Sequence, residues 1–266
     1  MAVLGFIGVG NMGGALARAA AKNVSGPSLL LANRSPEKAE ALAAQLGAQV
    51  SDNASLAAVA DYIFLGVKPQ MLPGVLAALA PVLRERQTPF VLVSMAAGTS
   101  IARVQELSGG SYPVIRIMPN TPASIGQGMI LYAPSENVPA AALDAFLDCM
   151  RAAGRFARLE ERLIDAGSAV SGCGPAFVDL FLEALADGGV ACGLPRSTAM
   201  ELAAQMVMGS AALALSGGRH PAQLKDAVCS PGGTTIQGVR ALEKNGFRSA
   251  VMEAVIAAYE KNFDLK

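Results

Sequence analysis

The stretch Phe6-Ile7-Gly8-Val9-Gly10-Asn11-Met12-Gly13-Gly14-Ala15-Leu16-Ala17-Arg18-Ala19-Ala20 decides the fold. It continues a short apolar run from Ala2, spaces three glycines as G-x-G-x-x-G, and passes directly into an alanine-rich segment of high helix propensity. The predicted order is strand, tight turn, helix. In that order Gly8 permits the turn, Gly10 lets the backbone approach a pyrophosphate, and Gly13 lets helix and strand pack closely, with the helix N-terminus facing negative charge. Asn11 and Met12 ride on the same turn and are read as cofactor contacts with the three glycines. Alone, the hexapeptide also fits a bare strand–helix connection. Its place at the head of an alternating pattern is what favours a dinucleotide.

Working outward, apolar runs recur at 29–32, 62–67, 90–94 and 114–117, separated by helical segments at 36–45 and 72–83. Strands alternating with helices predict right-handed crossovers and a parallel sheet buried on both faces. The expected fold class is α/β, a doubly wound Rossmann-type domain over residues 1–159. Beyond it no β-run stands out. Helix-length segments at 163–171, 175–192, 195–215, 221–228 and 235–244 predict an all-helical domain over 160–266, assigned to substrate binding and oligomerisation. The span 202–218 has no charged residue, the pattern of a helix enclosed on all sides.

Composition narrows the function classes. Lys+Arg and Asp+Glu stand at 21 each, so no broad basic surface exists to hold a nucleic acid. The hydrophobic fraction of 52% is high, yet no run of about 20 residues lacks polar breaks as a membrane span requires. The surplus apolar surface is therefore assigned to a subunit interface, and a homo-oligomer is expected. Cys149, Cys173, Cys192 and Cys229 are far apart, and with His220 as the sole histidine no metal cluster can be assembled. The thiols are read as reduced and mostly buried. No targeting pattern opens the chain, so the cytoplasm is the expected compartment.

Three more motifs carry chemistry. Twenty positions past Gly13, where an NAD-binding chain offers Asp or Glu to the ribose 2′-hydroxyl, stands Asn33-Arg34-Ser35. No carboxylate is there to repel a 2′-phosphate, while Arg34 can pair with it and Ser35 can donate its hydroxyl, which favours NADPH over NADH. The plainer reading is a solvated turn with Ser35 capping the next helix. Val67-Lys68-Pro69, Ser94-Met95-Ala96-Ala97-Gly98 and Met118-Pro119-Asn120-Thr121-Pro122 each follow a predicted strand, so they should wall the nicotinamide ribose. Lys68 is assigned to binding rather than to acid catalysis. In Cys229-Ser230-Pro231-Gly232-Gly233-Thr234-Thr235 one helix breaks and another begins, leaving free backbone N–H groups suited to a carboxylate. An ordinary connection capped by Thr234 fits the same spacing.

The run Leu224–Lys244, LKDAVCSPGGTTIQGVRALEK, resembles the signature segment of the pyrroline-5-carboxylate reductase family. Ser171-Gly172-Cys173-Gly174-Pro175-Ala176-Phe177 is similar to another of its turns, and Phe6-Ile7-Gly8, Val67-Lys68-Pro69 and Met118-Pro119-Asn120-Thr121-Pro122 match its cofactor domain in the same order. The resemblance implies that Thr235 hydrogen-bonds the ring nitrogen of a cyclic imine and is the catalytic residue, with Gly233, Thr234 and Thr235 holding the carboxylate. It places Glu161 near the substrate and Asn53 on the adenosine ribose. It also implies proline biosynthesis with NADPH, and an oligomer built from dimers through the helical domain, a decamer as in relatives. Cys173 departs from the usual serine, and Ala227 from an asparagine that relatives can carry.

A protonated pyrroline is already an electrophile, so hydride addition needs no general acid in the same step. His220, before Pro221, is read as a cap or interface residue. The rival enzyme, a β-hydroxyacid dehydrogenase, requires a lysine after the domain junction, and none lies between Lys68 and Lys225. A non-catalytic NADPH-binding protein is the remaining alternative.

Overall fold

The computed structural model describes residues 2–262. The described residues form two compact units, one of 2–173 together with 258–262, the other Gly174–Ala257. The expected boundary after 159 coincides with the end of the last strand, and the units divide later.

In the first unit, β1 (Leu4–Ile7), β2 (Leu29–Ala32), β3 (Gln49–Val50), β4 (Tyr62–Leu65), β5 (Val91–Ser94), β6 (Val114–Met118), β7 (Gly128–Pro134) and β8 (Gly154–Arg158) form one sheet. Their order is β3-β2-β1-β4-β5-β6-β7-β8. The chain starts in the middle and winds outward in both directions, so the strand order reverses between β1 and β4, where open α/β sheets bind ligands. Ile7 pairs with Ala32 on one side and Leu65 on the other, which aligns the three strand ends. The sheet is not wholly parallel as expected: β7 runs antiparallel to β6. The short turn after β6 returns the chain beside it without a crossover helix, and antiparallel neighbours need no crossover.

Helices α1 (Asn11–Ala20), α2 (Pro36–Leu46), α3 (Asn53–Val59), α4 (Leu72–Glu85), α5 (Ile101–Ser108), α6 (Ala140–Met150) and α7 (Ile164–Ser171) complete this unit. Successive residues of β1 feed opposite cores. Phe6 stacks on Phe64, ring centroids 4.2 Å apart, in a cluster with Phe146 and Ile117. Ile7 joins Leu56, Leu65, Leu76 and Val104 on the other face. Burial on both faces is why these strands read as unbroken apolar runs.

The second unit holds α8 (Gly174–Ala191), α9 (Arg196–Leu215), α10 (Pro221–Val228), α11 (Thr234–Lys244) and most of α12 (Phe247–Lys261). The sequence reading lacked α12. The uncharged helix α9 is not enclosed within one chain: only Ala199 and Ala203 are buried on it, while Leu202, Met208 and Leu215 are more than half exposed. By length and mean hydropathy α9 and the segment Glu161–Ala191 could cross a membrane, but both carry charged residues, among them Glu201 in the first and Asp179 and Glu183 in the second, so neither is an unbroken apolar run. The thiols differ from expectation too. All four are free, but Cys192 is exposed and the other three are only half-buried.

Candidate active site

A hollow of about 1170 Å³ opens at the carboxyl ends of β1, β2, β4, β5 and β6. Gly8, Gly10, Asn11, Met12 and Gly13 form one wall, Asn33, Arg34, Ser35 and Asn53 another, and Val67, Lys68, Pro69 and Ala97 a third. The residues expected on the cofactor thus converge from five loops, those after β1, β2, β3, β4 and β5. A smaller hollow of about 460 Å³ lies at the opposite ends of β4 and β5, around Tyr62, Val91 and Pro113, and holds none of them.

The three glycines do different work. Gly8 has φ +95°, and an added Cβ would meet the Gly66 carbonyl oxygen at 2.6 Å. A Cβ on Gly13 would lie 2.0 Å from the Gly8 oxygen, so α1 rests directly on the β1 turn. A Cβ on Gly10 would meet no protein atom within 4 Å. Protein packing therefore explains the first two and not the third. Gly10 is also the N-cap of α1 without a side chain to cap it, which leaves the first-turn N–H groups toward the hollow. This is the geometry a pyrophosphate fits.

At the neighbouring loop Asn33 is committed to the protein. Its Oδ1 accepts the Val9 N–H at 3.1 Å and its Nδ2 donates to the Ser35 carbonyl at 3.0 Å. Ser35 stands at the N-cap of α2, but its hydroxyl makes no capping bond, and Arg34 is exposed. Asp52 and Lys38, which sequence reading passed over, share the same walls. Asp52 caps α3, accepting from Ala54 N–H and Ser55 N–H, each at 2.9 Å, and from the Ser55 hydroxyl at 2.6 Å. The Ser55 hydroxyl, and then its N–H, hold the Asp52 carboxyl below its usual range. Asn53 follows as the first residue of α3.

Glu161 lies in the first unit. Its Oε1 accepts the Ile101 N–H at 2.6 Å and lies 3.5 Å from the Arg116 guanidinium. Arg116, on β6, is 4% exposed and also pairs with Asp165. A lone arginine inside Val-Ile-Arg-Ile-Met was the available signal for this cluster, because a buried cation requires a partner. Asn120 ties the same region together, accepting from Met129 N–H and donating to the Ser171 carbonyl, both at 2.9 Å.

In the second unit Gly232 turns the chain with φ +69°, and Gly233 N–H donates to the Ser230 carbonyl at 3.0 Å. The N-cap of α11 is Gly233, not Thr234 as the plainer reading had it, and it supplies no side-chain cap. Thr234 and Thr235 begin the helix with exposed side chains. Their N–H groups are among those a helix leaves without an internal partner. His220 caps α10, its Nδ1 accepting the Ala222 N–H at 3.2 Å while Gln223 reaches back to the His220 N–H at 3.0 Å. No group of three metal-ligating side chains forms among the described residues.

Residues 161–265 match the family described as pyrroline-5-carboxylate reductase dimerisation, and residues 3–98 match NADP oxidoreductase coenzyme F420-dependent. The pyrroline-5-carboxylate reductase of Synechocystis is 45% identical over 98% of this chain and 97% of its own length. That of Escherichia coli is 40% identical over 97% of this chain and 96% of its own. Among solved structures, a pyrroline carboxylate reductase of Plasmodium falciparum with NADP bound superposes with a TM-score of 0.89 at 34% identity, covering 99% of this chain and 98% of that one. A pyrroline-5-carboxylate reductase from Coxiella burnetii gives 0.91 at 32%, covering 100% and 98%.

Proposed function

This chain belongs to the pyrroline-5-carboxylate reductases, and from that premise we propose that it reduces 1-pyrroline-5-carboxylate to L-proline, with NADPH preferred over NADH. When bound, NADPH would supply a hydride whose electron pair forms the new C–H bond at the imine carbon, while the C=N π pair passes to the ring nitrogen. The observation that carries the substrate half is the uncapped start of α11. Gly233 has no side chain to satisfy the Thr234 and Thr235 N–H groups, and these are the donors a carboxylate needs.

The residues act by binding and orientation. Gly8, Gly10, Asn11, Met12 and Gly13 receive the pyrophosphate, Arg34 and Ser35 the 2′-phosphate, and Asn53 the adenosine ribose. Val67, Lys68, Pro69 and Ala97 wall the nicotinamide end. The backbone at Gly233, Thr234 and Thr235 binds the substrate carboxylate, and the Thr235 hydroxyl hydrogen-bonds the ring nitrogen. A pyrroline already protonated on nitrogen becomes a neutral secondary amine when hydride arrives, so no proton donor is required in that step. Glu161, expected beside the substrate, serves as a positioning residue, anchoring the start of α5 through the Ile101 N–H and balancing Arg116.

The helical unit's exposed Leu202, Met208 and Leu215 support a homo-oligomer built through it, consistent with the family that matches residues 161–265. We extend this to an assembly of dimers, a decamer at the upper end, which sedimentation tests. A stable micromolar monomer would contradict it. Four free thiols support the cytoplasm as its compartment. The activity is tested by following NADPH oxidation and proline formation together, with 1-pyrroline-5-carboxylate, then with NADH and with a six-membered imine. Equal rates with NADH would overturn the cofactor preference, and no proline would overturn the reaction.

A further inference from the structure

We propose that Lys38 shares with Arg34 the recognition of the 2′-phosphate of NADPH, which makes it a determinant of cofactor specificity. The inference rests on the cofactor reading above. Lys38 is the third residue of α2 and lines the same hollow as Arg34 and Ser35. Both cations are exposed, and neither makes a hydrogen bond or ion pair within the described residues.

The backbone around them is a poor anion receptor. Pro36 has no N–H, and the Lys38 N–H donates to the Ser35 carbonyl at 3.2 Å, so in this part of the first turn only the Glu37 N–H remains. The Asn33 amide is engaged at both ends. Neutral N–H groups in this loop could at most donate to a phosphate of nearly two negative charges, so the charge itself falls to the side chains of Arg34 and Lys38, with Ser35 adding its hydroxyl. Arg34 can meet two oxygens with its planar fork, and Lys38 adds a point charge. Asp52 also lines the hollow, but its carboxylate is turned onto the N–H groups and hydroxyl at the start of α3, which blunts its repulsion of a phosphate.

The test measures dissociation constants of NADPH and NADH, by nucleotide fluorescence, for the wild-type protein and for Arg34→Ala, Lys38→Met and Lys38→Arg. Circular dichroism confirms that each variant is folded. Lys38→Met keeps the aliphatic stem and should weaken NADPH by about tenfold, 1.4 kcal/mol, with NADH changed less than about twofold. The loss should shrink between about 0.05 and 0.5 M salt, because exposed charges are screened, and Lys38→Arg should restore most of the affinity. If Arg34→Ala selectively weakens NADPH while Lys38→Met does nothing, or weakens both nucleotides alike, the role of Lys38 is overturned and the cofactor reading stands. If neither substitution alters the ratio of the two affinities, the cofactor reading itself fails.

Discussion

The side chain of Asn33 accepts the Val9 N–H at 3.1 Å and donates to the Ser35 carbonyl at 3.0 Å, clamping the glycine turn to the loop beside it. Substituting Asp for Asn33 keeps the acceptor toward Val9 but sets a carboxylate against the Ser35 carbonyl. Asn33→Asp should cost about 1–3 kcal/mol of stability, the penalty for an unsatisfied polar contact. It should also weaken NADPH binding more than NADH binding. Thermal unfolding and nucleotide titration check both, and unchanged stability would show that the clamp contributes nothing.

Gly10→Ala and Gly13→Ala separate packing from ligand approach. A methyl at Gly13 would sit 2.0 Å from the Gly8 carbonyl, whereas one at Gly10 meets no protein atom within 4 Å. Gly13→Ala should therefore lower the melting temperature or prevent folding, with a cost of about 1–3 kcal/mol or more from overpacking. Gly10→Ala should fold like the wild type and lose nucleotide affinity. Normal NADPH binding by Gly10→Ala would remove the pyrophosphate from this turn.

In the proposed function Thr235 fixes the ring without donating a proton, because a hydroxyl is too weak an acid at neutral pH. Thr235→Ala should reduce turnover ten- to a hundredfold through misorientation, about 1.4–2.7 kcal/mol of barrier. Thr235→Ser, which keeps the hydroxyl, should retain most activity, and NADPH affinity should change little in either variant. A fully active Thr235→Ala would show that the turn is structural and that the imine binds elsewhere.

Tyr62 carries a pH-dependent share of stability. Burial, and then the negative charges of Cys149 and Asp61, push its phenol up to about 12, and its hydroxyl donates to the Ala142 carbonyl at 2.7 Å. The folded chain therefore keeps this proton between pH 10 and about 12, where the unfolded chain loses it. Its contribution is complete below pH 10 and declines as pH rises through that window. Tyr62→Phe should be about 0.5–1.5 kcal/mol less stable at pH 8 by loss of the hydrogen bond, and the gap should narrow by pH 11 in urea unfolding. A constant gap would contradict the shifted phenol.

Much of this was legible in the chain. The apolar runs gave β1, β2, β4, β5 and β6 because both faces of those strands are buried, and the loops that follow them bring the expected cofactor residues to one hollow. Other elements left weaker marks. β8 reads Gly-Arg-Phe-Ala-Arg because it is an edge strand with charges toward solvent, and β3 is two exposed residues long. The antiparallel β7, Met-Ile-Leu-Tyr-Ala at its centre, carried a strand signal, and α12 had a helix-length apolar pattern; both were passed over. Lys38 belongs to no motif. It enters the site only because the first turn of α2 borders the hollow, a three-dimensional fact. The cysteines misled because residue type gives only an average tendency to burial, and here Cys192 is exposed and the other three are half-buried.

The central claim is that this chain transfers a hydride from NADPH to the imine carbon of 1-pyrroline-5-carboxylate. The most direct measurement uses NADPH carrying two deuteriums at the nicotinamide C4 and follows the product by mass spectrometry and NMR. The account predicts proline with one deuterium on carbon 5 for each NADPH consumed. Proline without deuterium, or NADPH oxidised with no proline formed, would contradict it.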